Sequence, residues 1–241
     1  MEQDYKYLCN NCYDKEFDSV ESLKRYPWVG SQYINSNCRV LILGDSHYTV
    51  DKDKNKCEEE YKRCNSNKDY TREIVRCVIN DVCKGECTWK MFRNLINTLT
   101  SYTPEEVKYL WSKVAFYNFI QEPMKQINQR PTSEESRIGW QCFYHVINIL
   151  KPSFCLFIGK RCENKIETIE YLGGGFTKHK DDMCNRTTPI FGEVETKERT
   201  KTRYRIINHT SIRGYSPDAW YQYLSNKEHE VMIQLDRNFK K

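Results

Sequence analysis

No run of about 18 consecutive apolar residues occurs in this 241-residue sequence, and mean hydropathy is −0.81, so a membrane-spanning helix is excluded. The start, Met1-Glu2-Gln3-Asp4-Tyr5-Lys6, lacks the basic segment followed by an apolar segment that marks a secretory signal. The expectation is a cytoplasmic protein with reduced thiols. The 12 cysteines are too few for a disulfide-dense mini-scaffold. Internal repeats, low-complexity tracts and a clear interdomain linker are also missing. Lys and Arg are spread along the chain rather than blocked, and a net charge of +5 permits DNA binding without requiring it. What is present is aromatic: 13% of residues, including 17 Tyr, which supplies a well-filled core and argues against disorder. The length suits one domain spanning 1–241.

Residues 1–36 read as an N-terminal helix and a loop leading into the core. Arg39-Val40-Leu41-Ile42-Leu43-Gly44 is a short apolar run ended by glycine, as expected of a strand buried on both faces. Residues 114–118, 154–159 and 204–208 share the pattern. Helical signals separate these runs. Thr103-Pro104-Glu105-Glu106 reads as an N-cap with proline at the first helical position. Thr132-Ser133-Glu134-Glu135 reads as a capping box, behind which Ile138, Cys142, Val146, Ile149 and Leu150 share a helical face. Ser216-Pro217-Asp218 opens a last helix. Strands alternating with helices predict a three-layer α/β/α fold around a central four-stranded parallel sheet. Two polar stretches, 51–70 and 173–203, read as surface insertions.

In open α/β sheets, ligands bind beyond the carboxyl ends of the strands. The residues just after the apolar runs are therefore the candidates. Gly44-Asp45-Ser46-His47-Tyr48 closes the first run, Asn118 the second, and His209-Thr210-Ser211-Ile212-Arg213 follows the last. An acid, an amide, a histidine and a hydroxyl thus converge on one edge of the sheet.

This ordered set resembles the uracil-DNA glycosylase superfamily. The resemblance rests on the glycine-led motif from Gly44 to Tyr48, on Asn118 with the later Arg130-Pro131-Thr132 segment, and on His209-Thr210-Ser211. Leu150-Lys151-Pro152 leading into Phe157-Ile158-Gly159-Lys160 is similar to that family's third strand. The match spans roughly residues 27–225. Each motif is weak alone, and the ordered set is moderately specific. The resemblance implies a DNA glycosylase that hydrolyses the bond between a flipped pyrimidine and its sugar. His209 would stabilise the departing base, and Asp45 would act on the attacking water or the sugar cation. Gly44, Ser46, His47, Tyr48 and Asn118 would line the substrate pocket, with Phe92 or Trp89 stacking on the base. Ser211 would hold phosphate and Arg213 would be the wedge. It implies DNA as partner, a monomer, and no nucleotide cofactor.

The sequence also departs from the family. Ser46 stands where some branches carry the catalytic Asp, and Asp45 matches the branches with the acid one position earlier. His47 and Thr210 stand where proline is usual. A pocket altered in both motifs leaves a modified base open beside uracil, and an anti-phage role open beside host repair. Cys9-x-x-Cys12 resembles half of one branch's iron–sulfur site, but Glu122 and Gly139 stand near where its other two cysteines would fall. Zinc at Cys9 and Cys12, completed from Cys57, Cys64, Cys83 and Cys87, stays open beside no metal at all. Cys38, Cys77, Cys142 and Cys155 read as small core residues. The rival reading is a catalytically inactive DNA-binding or sensing module on the same fold. A weaker one is a hydrolase acting on free nucleosides or nucleotides.

Overall fold

The computed structural model describes residues 5–49, 54–126 and 129–239. The chain's first four residues and 51–53, where the first polar insertion was expected to begin, lie outside them. Among the described residues the strands are β1 (Trp28–Val29), β2 (Val40–Gly44), β3 (Val114–Asn118), β4 (Phe154–Ile158), β5 (Gly175–Phe176), β6 (His179–Lys180), β7 (Ile190–Glu195) and β8 (Lys201–Ile207). The helices are α1 (Asp14–Asp18), α2 (Lys54–Ser66), α3 (Tyr70–Lys84), α4 (Lys90–Leu99), α5 (Pro104–Lys113), α6 (Ser133–Leu150), α7 (Thr168–Tyr171), α8 (Pro217–Lys227) and α9 (His229–Leu235). Tyr5–Leu8 and Lys160–Glu163 form 3-10 turns.

The four apolar runs are the four parallel strands, in the spatial order β3-β2-β4-β8. Every residue of β2, β3 and β4 is buried, as two covered faces require. Val40, Ile42, Val114, Phe116, Leu156 and Ile207 face helices α3, α4, α5, α8 and α9. Leu41, Leu43, Ala115, Tyr117, Phe157 and Ile206 face α6, α7 and α1. The protein is therefore a mixed α/β fold with a mostly parallel central sheet and helices on both faces, compatible with three α/β/α layers. The sheet is wider than four strands. β1 pairs antiparallel with β3, and β7 pairs antiparallel with β8 and with β5 and β6.

The helix starts follow the sequence chemistry. Thr132 Oγ1 accepts the Glu135 N–H at 3.1 Å while Glu135 Oε2 accepts the Thr132 N–H at 2.6 Å, a complete capping box for α6. Losing such a cap costs about 1 kcal/mol. Thr103 and Ser216 cap α5 and α8 by accepting the Glu106 and Ala219 N–H groups, each ahead of a proline. The 173–203 segment differs from its reading as a surface insertion, since it carries β5, β6, β7 and the first residues of β8. Ile190 and Val194 are buried while Glu193 between them is exposed, so β7 is a half-buried strand within a charged stretch. The 54–66 part of the other polar stretch is helix α2, whose one buried residue is Cys64. Cys38, Cys142 and Cys155 are buried as expected, but Cys77 is exposed on α3.

Candidate functional site

The carboxyl ends of the four parallel strands lie side by side, and the backbone there is shaped by two glycines. Gly44 sits opposite Asn118 in the β2–β3 register. A side chain on Gly44 would collide with Asn118 Oδ1 and fall 3.2 Å from Phe116 Cζ. Asn118 is buried, and its Oδ1 has no hydrogen-bond partner among the described residues. An acceptor left unpaired in a buried position is costly unless a ligand fills it. Gly159, just after β4, has φ 119°, a conformation that favours glycine. A Cβ there would lie 3.5 Å from His209 Cδ2 and 3.8 Å from Asp45 Cβ, so Asp45 and His209 flank this glycine.

Asp45 is 9% exposed. Its Oδ2 accepts the Tyr48 hydroxyl at 3.3 Å and lies 3.1 Å from Arg161 Nη1. Arg161 also donates to Tyr48 Oη at 2.7 Å and to the Gln129 carbonyl at 2.8 Å, so it clamps the carboxylate to two loops. Among the described residues Oδ1 accepts no hydrogen bond. Burial raises the Asp45 pKa, and the charges of Arg161 and His209 with the Tyr48 hydrogen bond offset only part of that rise.

His209 is held by Ser211. The Ser211 N–H donates to His209 Nδ1 at 3.2 Å, and the Ser211 hydroxyl lies 2.7 Å from the same nitrogen. A backbone N–H can only donate, so Nδ1 is an acceptor and the neutral ring carries its proton on Nε2. Burial lowers the His209 pKa, aided by Arg161 and opposed by Asp45, which favours that neutral form. The loop beyond is pinned to α4. Asn94 donates to the Thr210 carbonyl at 2.6 Å, Thr210 Oγ1 donates to the Met91 carbonyl at 2.9 Å, and Lys90 donates to the Ile212 carbonyl at 3.2 Å.

The structure brings Gly44, Asp45, Tyr48, Asn118 and His209 to one edge, and sends other expected residues elsewhere. His47 is buried against α3, with Nε2 3.0 Å from Thr71 Oγ1 and its ring edge-on to Tyr70. Burial, with the Arg25 charge, pushes its pKa down to about 3, the state of a packed neutral ring. Ser46 Oγ donates to the Glu122 carbonyl at 2.9 Å and so ties down the loop. Phe92 is a core residue packed on Trp111 and Phe116, and the ring that reaches Gly44 is Phe116. Trp89 is 39% exposed beside Phe92. Ser211 is occupied with His209, whereas Arg213 is exposed with no hydrogen bond or ion pair among the described residues. Arg161 and Phe116 join the site without a role in the sequence pattern, and Gly159, expected only as the end of the third apolar run, joins them. Arg161 follows that run, where the same strand-end rule points.

All 12 cysteines are free thiols. Among the described residues, no three His, Cys, Asp or Glu side chains gather as a metal site. Cys9 is half-buried and bonds through its thiol to Asn11 Oδ1 at 3.6 Å, while Cys12 is exposed. Compared with known proteins, the chain matches no family model and no curated protein.

Proposed function

We propose that this chain is a monomeric DNA glycosylase of the uracil-DNA glycosylase type, releasing uracil or a modified pyrimidine and leaving an abasic site. The observation that carries the proposal is the meeting of Asp45, Asn118 and a neutral, Nε2-protonated His209 at one strand-end edge. The architecture, a mostly parallel sheet with helices on both faces, supports the family resemblance at a coarse level. As the bond between C1′ and the base nitrogen breaks, its electron pair leaves with the base. The base oxygen gains negative charge, which His209 Nε2–H meets with a hydrogen bond. Water attacks the electron-poor sugar carbon and gives its proton to Asp45. Asn118 Oδ1, without a hydrogen-bond partner among the described residues, accepts from the N–H on the edge of the flipped base.

The test is incubation with labelled oligonucleotides carrying a single uracil or a single modified pyrimidine, followed by alkali. Strand scission at the marked base is the expected result, and intact strands on every substrate with folded protein would sink the proposal. One observation favours a second reading, a DNA-binding module without catalysis: Arg161 pairs with Asp45 and competes with water for the carboxylate. That reading predicts salt-sensitive DNA binding and no scission.

A further inference from the structure

The antiparallel side of the sheet builds a second feature at the same edge. Because β7 runs against β8, Ile190 at the start of β7 lies opposite Ile206 near the end of β8, and Lys180 lies opposite Ile190. The segment entering β7 therefore stands beside the β8 end that leads to His209. Asn208, the residue before His209, donates through Nδ2 to Thr187 Oγ1 and ties the two together. A cavity of about 440 Å³ opens there, lined by Lys160, Glu163, Lys180, Arg186, Thr187, Thr188 and Ile190. Lys160 directly follows Gly159, the glycine whose added Cβ would meet both His209 and Asp45.

The charges around this cleft do not cancel. Glu163 is paired with Lys178 at 3.0 Å. Asp181 and Asp182, which follow Lys180, are taken by Lys227, and Asp181 also by Arg205. The side chains of Lys160, Lys180 and Arg186 have no ion pair or hydrogen bond among the described residues, so three cations line one cavity together with two threonines.

Arg186 also stands at a strained backbone position. Cys184 and Thr187 exchange both backbone hydrogen bonds, at 2.7 and 2.8 Å, closing a two-residue hairpin. Its central residues, Asn185 and Arg186, have φ 46° and 62°. Glycine is favoured at the second of these positions, and an L side chain there is strained. The chain keeps an arginine where the backbone favours glycine, and that arginine lines the cleft.

We infer that this cleft is a phosphate-binding site that takes the backbone phosphate of a nucleic-acid strand next to the base held at Asp45, Asn118 and His209. The inference rests on the glycosylase reading for the strand, and on the cleft's own chemistry for the phosphate. A free phosphate offers the same group, so the experiment has two arms. In the first, fluorescence anisotropy measures binding of single-stranded and duplex oligonucleotides without an excisable base, across a salt series. In the second, calorimetry measures binding of inorganic phosphate. Both arms use wild type, the triple variant Lys160→Gln, Lys180→Gln, Arg186→Gln, and Arg186→Gly alone.

The triple variant should lose about tenfold or more in oligonucleotide affinity, and its slope of log affinity against log salt should flatten by about two units. Arg186→Gly should melt about 2–4 °C higher than wild type, since strain is relieved, yet bind the oligonucleotide more weakly. That pairing excludes misfolding as the cause of lost binding. Wild type that binds phosphate but no oligonucleotide, with phosphate binding lost in the triple variant, supports the cleft with free phosphate as its source and removes the DNA reading. Oligonucleotide binding equal in wild type and triple variant overturns the cleft and leaves the glycosylase reading standing. Binding of neither ligand by wild type overturns both.

Discussion

Asp45 and Asp181 have side chains 8% and 9% exposed, and both face an arginine, yet they are opposite kinds of carboxylate. Asp181 is saturated. Burial alone would raise its pKa, but donation from Lys227, Tyr223, the Asp182 N–H and Arg205 holds it well below the usual carboxylate range. Arg205 in turn donates to Glu228 at 2.6 Å, so a closed network joins β8 to α8 and the chain beyond it. Asp45 is undersupplied. Arg161 and Tyr48 both address Oδ2, Oδ1 has no donor among the described residues, and burial wins. Full hydrogen bonding makes a buried charge structural, and partial hydrogen bonding leaves it with capacity for chemistry.

The comparison breaks first on rates. Asp45→Asn should cut cleavage about 10²–10⁴-fold. Its melting temperature should hold or rise, because a desolvated charge is removed. His209→Ala should cost about 10²–10³-fold in rate with DNA affinity little changed; equal loss of both would deny it a catalytic role. Asp181→Asn should do the reverse, destabilising the fold by about 3 kcal/mol while sparing the rate per folded molecule. Denaturant melts with single-turnover kinetics read both quantities.

The pH dependence sharpens the contrast. Asp45 must be ionised to accept a proton, so the acid limb of the cleavage rate should lie above the ordinary carboxylate value of about 4. Arg161→Gln removes an opposing charge and should move that limb further up; an unmoved limb would detach Arg161 from Asp45. In stability the signs are opposite. The raised pKa of Asp45 makes its charge a liability as pH rises through that value. The depressed pKa of Asp181 supplies stability above about pH 4 that is lost as pH falls through its lower folded value. At mildly acidic pH the smallest effect belongs to His47. Its folded pKa of about 3 means that the unfolded chain takes up a proton the folded one refuses. Stability should fall below about pH 6.5 by up to about 1.4 kcal/mol per pH unit, and His47→Gln should flatten that slope in pH-dependent melts.

Much of the frame was legible because it rests on local rules. Runs buried on both faces marked the four parallel strands, and Thr132 with Glu135 marked the start of α6. Helix α3 was passed over, although Val75, Val78, Ile79 and Val82 form a readable stripe. β7 was hidden because its alternation is short and lies among charges. At the site, Gly44, Asp45, Asn118 and His209 could be found as strand ends. The direction of His47 could not, since it is set by the pairing of the 47–49 backbone with Met124. Nor could spacing choose Phe116 over Phe92, because only tertiary packing decides which ring reaches Gly44.

The most direct measurement is mass spectrometry of what the protein releases from DNA and, separately, from free nucleosides carrying the same bases. Asp45 and His209 working as a glycosylase pair predict a free pyrimidine base and a matching abasic strand from DNA, little from nucleosides, and both products reduced about a hundredfold or more with Asp45→Asn. Release from nucleosides alone, or equal release by wild type and Asp45→Asn, would contradict it.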